Sequence, residues 1–282
     1  MGTCAWTYKD WNGPFYPPHL PDNQHLPFYA KYFNAVEINS TFYHSPGRKN
    51  ATHWAEAVPD DFVFTCKMPK EITHEHKLRN CEEPLAKFLE DIEPMQSKLG
   101  CILIQLSEYF KPSRDELALR EFIHRLPQGF RFAVEFRDPA WHVPRIAHLL
   151  EQRSVCWAWN DLTTLDHGNE AAFTFLPRTT DFIYVRLMGD LGIKYDGDGN
   201  KRFTYKKLLW PRDAALENWA TKIRQEADDS VKVFVLVSNH FEGFAPETCV
   251  RIGAQLGMSL ELPTVKPEAK GKGSDGQLDL GL

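Results

Sequence analysis

Two carboxylates and three cations fall at matching places in short runs that otherwise read as apolar strands. Glu37 lies between Val36 and Ile38, Glu135 lies between Val134 and Phe136, and Lys67, Arg137 and Arg186 each stand near the carboxyl end of such a run. A carboxylate in a sheltered position can move protons, while Arg and Lys bind the oxygens of phosphates and carboxylates. Glu37 and Glu135 are therefore the candidate catalytic acid/base residues. Lys67, Arg137 and Arg186, with the amides of Asn39, Gln105 and Asn239, are the candidate ligands of an anionic substrate. The same charges could instead neutralise one another as a salt-bridge network that does no chemistry. Trp6, Tyr8, Trp11, Tyr43 and Trp141 fall at or just after strand ends, where their rings could form an aromatic pocket wall against a base or sugar, or simply close the top of a core.

The elements that must position these residues follow from periodicity. In the stretch 35–43, Val36, Ile38 and Phe42 fall on one face of an extended chain, while Glu37, Asn39, Thr41 and Tyr43 fall on the other. A short strand between helical patterns does not leave such a polar face in open water. A closed parallel barrel accommodates it, because the outer face receives helices while the inner face turns polar near one mouth. The same parity places Phe62, Phe64 and Cys66 outward and Val63, Thr65 and Lys67 inward, and it points Tyr184, Arg186 and Met188 inward. Strands are expected at 2–6, 35–43, 62–68, 101–106, 131–137, 154–161, 182–189 and 231–239. Helical spacing covers 25–33, 48–57, 83–99, 114–126, 142–152, 204–225 in two pieces with Pro211 starting the second, and 246–256. This alternation predicts an α/β fold, a TIM-type (β/α)8 parallel barrel, as one domain over residues 1–262. The sixth helix, within 162–178, is short or missing. From residue 263 the composition turns to Pro, Lys, Gly, Ser and Asp, so 263–282 reads as a flexible tail.

A chain of 282 residues with 43% hydrophobic and 25% charged residues can bury one such core. Its formal charge of −5 argues against coating nucleic acid by bulk electrostatics but leaves room for a locally basic cleft. The 6 cysteines include no C-x-x-C pair, so neither a zinc ribbon nor a redox motif is indicated. Free thiols, the lack of a secretory segment and the lack of an apolar run near the roughly 20 residues a bilayer requires together predict a cytoplasmic protein with no membrane partner. No cofactor is expected. A metal at His74, which has His76 two residues on, or at His240 stays open, although no third ligand is fixed. Residues 196–200 resemble the start of a calcium loop, but Lys201 replaces the required glycine and Lys207 the closing glutamate, so calcium is rejected. No serine-hydrolase elbow, P-loop or dinucleotide fingerprint stands between a strand and a helix.

Several linked motifs resemble the family called domain of unknown function 72, or YecE-like. They are Gly2-Thr3 with Trp6 and Trp11, the run from Val36 through Glu37, Ile38, Asn39, Ser40, Thr41 and Phe42 to Tyr43, Lys67 with Ile72-Thr73-His74, Glu135-Phe136-Arg137 with Trp141, and Arg186 with Gly189. The resemblance runs from Gly2 to about Leu256. It implies a parallel barrel and a pocket but no reaction. Three departures stand out. Met188 replaces an expected histidine, Ser107-Glu108 replaces expected prolines, and Ser238-Asn239-His240 matches an Asn-rich strand end only in part. If that missing histidine were a catalytic acid or base, His240 or His74 would have to replace it.

The last six residues, Gln277, Leu278, Asp279, Leu280, Gly281 and Leu282, resemble the peptide by which bacterial proteins dock on the DNA sliding clamp. Leu278, Leu280 and Leu282 would supply apolar anchors and Gln277 the polar contact. The leading expectation is thus an enzyme acting on a phosphate-bearing substrate, a nucleic acid or nucleotide in repair or replication. The alternatives are an isomerase, lyase or hydrolase of a small anionic metabolite, and a non-catalytic adaptor recruited to DNA by the clamp.

Overall fold

The computed structural model describes residues 1–162, 175–190, 203–228 and 230–264. Most of the sixth-helix segment, the calcium-like run at 196–200 and the clamp-like motif at 277–282 lie outside the described residues.

The strands are β1 (Gly2–Cys4), β2 (Ala35–Ile38), β3 (Val63–Lys67), β4 (Leu99–Gln105), β5 (Phe132–Glu135), β6 (Cys156–Trp157), β7 (Trp159–Asn160), β8 (Phe182–Leu187) and β9 (Lys232–Val237). They form one sheet in the order β6-β5-β4-β3-β2-β1-β9-β8-β7, and every pairing is parallel. The two ends of that order, β6 and β7, are consecutive pieces of one stretch parted only by Ala158. The first pairs with β5 and the second with β8, so this interrupted strand joins the sheet's edges into a nearly closed barrel. The single strand expected at 154–161 is therefore broken where it changes partner.

Helices α1 (His25–Tyr29), α2 (Gly47–Glu56), α3 (Glu82–Ile92), α4 (Pro112–Arg125), α5 (Pro144–Gln152), α6 (Asp213–Glu226), α7 (Asn239–Glu242) and α8 (Ala245–Gln255) lie between and after the strands. None is long and apolar enough to cross a membrane. Their apolar stripes, such as Leu85, Phe88 and Ile92 on α3 or Leu216, Trp219 and Ile223 on α6, join one buried cluster with the outward strand residues Val36, Ile38, Phe64, Cys66, Ile104 and Val134. A second buried cluster fills the lumen and contains Cys4, Cys101, Leu103, Ala133, Phe182, Tyr184, Phe234 and Leu236. The separation of the two clusters confirms the inward and outward parity of β3, β4, β5 and β8.

Register explains why the lumen changes character along its axis. Gln105 pairs with Glu135, and each follows an apolar inward residue, Leu103 on β4 and Ala133 on β5, while Arg186 lies level with Leu236. The amino end of the lumen is packed, and Gly100 is required there. A Cβ at that position would lie 2.5 Å from Val63 Cγ1 and 2.9 Å from the Phe234 ring.

Two elements differ from expectation. The strand through 35–43 ends at Ile38 and continues as a 3-10 turn, Asn39–Phe42. The Thr41 hydroxyl lies 2.7 Å from both Ile38 O and Lys67 O, so its proton ties the turn to the end of β3, and Asn39 and Tyr43 leave the alternation that holds Glu37 inward. The segment 204–210 is not helical. Its Leu209 and Trp210 backbone N–H groups donate to Glu242 O at 2.8 and 3.3 Å, so α7 satisfies backbone donors that a helix would have satisfied itself.

Candidate functional site at the barrel mouth

Arg186 occupies the centre of the carboxyl-end layer. It points inward from β8, and its fork matches the inward carboxylate of β2. Its Nε donates to Glu37 Oε2 at 2.8 Å and its Nη2 to Glu37 Oε1 at 2.7 Å, while Nη1 reaches across the lumen to Glu135 Oε2 on β5. Arg137, just after β5, donates from Nε to Glu135 Oε1 at 2.8 Å. Tyr184 donates its hydroxyl to Glu37 Oε2 at 2.8 Å, and the Thr65 hydroxyl, 2.9 Å away, then donates to the Tyr184 oxygen. Both carboxylates and Arg186 are buried, with Arg186 only 1% exposed.

The charges fix one another. Burial opposes ionisation of Glu135, but Arg186 and Arg137 outweigh it and hold that carboxyl down to about 2. Burial would lower the Arg186 pKa, yet Glu135 and Glu37 keep it well above its ordinary value. Burial and then Glu37 push the Cys4 thiol well upward, so Cys4 is a neutral lumen residue and no nucleophile. Every oxygen of Glu37 and Glu135 thus accepts from a fixed donor.

Lys67 is different. It points into the same space from the end of β3, half-buried, with Nζ 3.9 Å from the centroid of the Phe42 ring. Among the described residues it has no ion-pair partner within 4.0 Å. Burial lowers its pKa to about 8, and Arg186 and Arg137 add to the effect against Glu37 and Glu135. His74 meets the other side of this cluster, with its ring 4.9 Å from that of Phe42 in an edge contact. Burial, followed by Lys67 and Arg137, lowers its pKa to about 4, so it is neutral at pH 7. Lys67 and His74 thus both contact the Phe42 ring. Arg137 is 16% exposed and spends only Nε on Glu135, so among the described residues its two terminal nitrogens carry no hydrogen bond.

Of the other expected site residues, Gln105 stays in this layer and the rest are spread around it. Gln105 is buried on β4, level with Glu135. Asn239 accepts from Trp11 Nε1 at 3.3 Å and from Ala245 N at 2.9 Å, so it staples the start of α8 to the first loop. Asn39 and Trp6 line a separate cavity of about 380 Å³ beside Trp54. Tyr43 is 63% exposed and borders a different surface cavity of about 450 Å³ with His44 and Lys87. Trp11 and Trp141 are fully buried, and Trp141 donates from Nε1 to Phe110 O at 2.7 Å while stacking on Phe110 and Phe136. Tyr8 packs on Trp11 at 4.8 Å and donates to Cys4 O at 2.8 Å. The five rings therefore do not form one wall.

Met188 sits in the lumen with its sulfur 3.9 Å from Cys4 Sγ, while His240 Nδ1 lies 3.2 Å from the Tyr205 hydroxyl. No cluster of three or more His, Cys, Asp or Glu suited to a metal occurs among the described residues.

Four participants were not singled out from the sequence. Alternation points Tyr184 and Thr65 inward without indicating a role, it places Phe42 on the outer face, and nothing in the sequence marks Asp161. Asp161 accepts from Gly189 N at 3.1 Å and Arg212 Nη1 at 3.1 Å, and also from Met188 N, so it fixes the chain just after β8.

Residues 1–271 match the family described as "Protein of unknown function DUF72". The chain is 38% identical over 111 residues to UPF0759 protein YecE of Escherichia coli, a match that covers 39% of this chain and spans 40% of that relative's length. It is 24% identical over 259 residues to UPF0759 protein YunF of Bacillus subtilis, covering 88% of this chain and 90% of the relative. Among solved structures, a DUF72 family protein from Thermotoga maritima superposes with a TM-score of 0.71 at 24% identity, covering 91% of this chain and 98% of that one. Another from Enterococcus faecalis does so with a TM-score of 0.69 at 20% identity, covering 95% and 98%. With its barrel shared by both structures and its family match running from the first strand past the last helix, the chain belongs to the DUF72 family.

Proposed function

We propose that the mouth binds a small metabolite bearing a phosphate or carboxylate, and that the protein is an enzyme acting on it. The observation that carries this reading is the surplus cation. Glu37 and Glu135 supply two negative charges to Arg186, Arg137 and Lys67, and the geometry assigns both carboxylates to the arginines. Lys67 and the terminal nitrogens of Arg137 are left facing the mouth. An arginine whose Nε is already anchored offers its outer edge in a fixed direction, which suits two oxygens of one anion. Arg186 is buried and donates from all three of its nitrogens to the two carboxylates, so its part is to hold them and, through Glu135, to orient Arg137. The burial of Trp11 and Trp141 removes two of the rings that would have stacked on bases and favours a metabolite over a polynucleotide. Recruitment to a DNA sliding clamp through Gln277, Leu278, Leu280 and Leu282 is a separate proposal with its own test below.

Calorimetric titration with inorganic phosphate and with short dicarboxylates tests the reading. Binding is expected in the wild type, weakened at least tenfold in Arg137→Gln and in Lys67→Met, and reduced by added salt. Equal binding by the wild type and both variants would overturn it.

A further inference from the structure

Among the described residues the amine of Lys67 has no ion-pair partner, which suggests a role beyond attraction. A lysine placed only to hold an anion gains nothing from being withdrawn from water beside two guanidinium groups, where its charge is costly. Lys67 is nevertheless held there by its backbone. β3 points it inward, the Thr41 hydroxyl fixes its carbonyl at 2.7 Å, and Phe42 lies under its ammonium at 3.9 Å. Neither carboxylate of the network is used on it.

Resting on the anion reading above, we infer that Lys67 is a nucleophile that forms an imine with an aldehyde or ketone whose anionic group is held by the outer edge of Arg137. The free amine attacks the carbonyl carbon, forming the N–C bond while the C=O π electrons move to oxygen. That oxygen takes up a proton as the nitrogen gives one to water. A second proton then lets the hydroxyl leave as water, and the nitrogen lone pair closes the C=N bond. The net change is amine plus carbonyl plus one proton from water to protonated imine plus water, with no oxidant or reductant. Protonated, the imine withdraws electrons from the neighbouring carbon, which is the chemistry of aldol cleavage, dehydration and isomerisation. The amine is suited to this step because its pKa of about 8 leaves part of it uncharged at neutral pH.

The other ionisable groups of the molecule offer less. Buried thiols such as Cys66 and Cys156 have pKa values raised by burial. The apolar groove beside Cys81, between α3 and α4, shows nothing that would cover it.

The probe is glycolaldehyde phosphate, with borohydride added to trap the imine as a stable secondary amine on the full-length protein, and labelled lysines identified by peptide mass mapping. At pH 7.5 an amine of pKa about 8 is roughly a quarter free base, against about 0.1% for an ordinary lysine, so Lys67 should label at least about tenfold faster than exposed Lys70 or Lys87 even with its lower intrinsic nucleophilicity. Its rate should level off above pH 8, whereas theirs keep rising. Excess inorganic phosphate should protect Lys67 alone, and Lys67→Arg should abolish labelling at this position while Lys70 and Lys87 label as in the wild type. Phosphate binding with Lys67 labelled no faster than Lys70 would overturn the imine and leave the anion site standing. Preferential labelling by unphosphorylated glycolaldehyde, with no phosphate binding or protection, would instead remove the anionic substrate class while keeping the reactive amine.

Discussion

Replacing Lys67 with methionine should stabilise the protein at neutral pH while removing its ligand binding. Lys67 is half-buried without a counter-ion among the described residues, and its pKa falls from 10.5 to about 8, chiefly through burial. Each tenfold loss of proton affinity corresponds to about 1.4 kcal/mol, so the folded state carries a cost of about 3 kcal/mol for keeping this amine protonated at pH 7. The sign follows from proton counting. Between pH 8 and 10.5 the unfolded chain holds the Lys67 proton and the folded chain has lost it, so stability rises with pH across that window, and the full cost applies below pH 8. Methionine has a similar length, packs against Phe42 through its sulfur and carries no charge. Urea unfolding followed by tryptophan fluorescence at pH 7, 8, 9 and 10 is the assay. Lys67→Met should exceed the wild type by about 2–3 kcal/mol at pH 7, with a Tm about 4–10 °C higher, and its advantage should shrink toward zero near pH 10.5. A variant less stable than the wild type at pH 7, or a difference that does not change with pH, would refute the reasoning. In the first case Lys67 would have an anionic partner; in the second its burial would not be the source of the cost.

Three other perturbations probe the rest of the network and the tail. Arg186→Met removes two ion pairs, one to Glu37 and one to Glu135, so it should cost about 3–5 kcal/mol in urea unfolding at pH 7, and Arg186→Lys should recover only part because one ammonium cannot span both carboxylates; a loss under 1 kcal/mol would show that the carboxylates have other partners. Glu135 is held at about 2, below its ordinary 4.5, so its stabilising contribution is complete above pH 4.5 and fades as pH falls toward 2. Comparison with Glu135→Gln should show this loss only in the wild type, and parallel acid-unfolding curves would argue against it. A peptide of residues 277–282 should bind a bacterial sliding clamp with a Kd on the order of 1 μM, and Leu280→Ala with Leu282→Ala should abolish binding without moving the barrel's Tm; no difference between the two peptides would remove the clamp proposal.

The alternation of side chains was enough to orient most of the site. Glu37, Thr65, Lys67, Glu135 and Arg186 point inward because a strand presents successive residues to opposite faces, and that rule needs no knowledge of neighbouring strands. The helix stripes and the parallel barrel were legible for the same reason: each helix and strand carries its own apolar period, and the family motifs name the same positions. Three features were decided only by the closed structure. Where β2 stops depends on the Thr41 hydroxyl meeting the Lys67 carbonyl, 26 residues away, so Asn39 and Tyr43 leave the face that a longer strand would have given them. Which cation takes which carboxylate depends on Arg186 spanning the lumen to strands β2 and β5, a contact that exists only after the sheet curls shut on itself. That choice leaves Lys67 beside Phe42 without an anion among the described residues. A sequence can place charges on one face, but only their distances and burial in the folded barrel decide which pairs form and which side chain is left to meet a ligand.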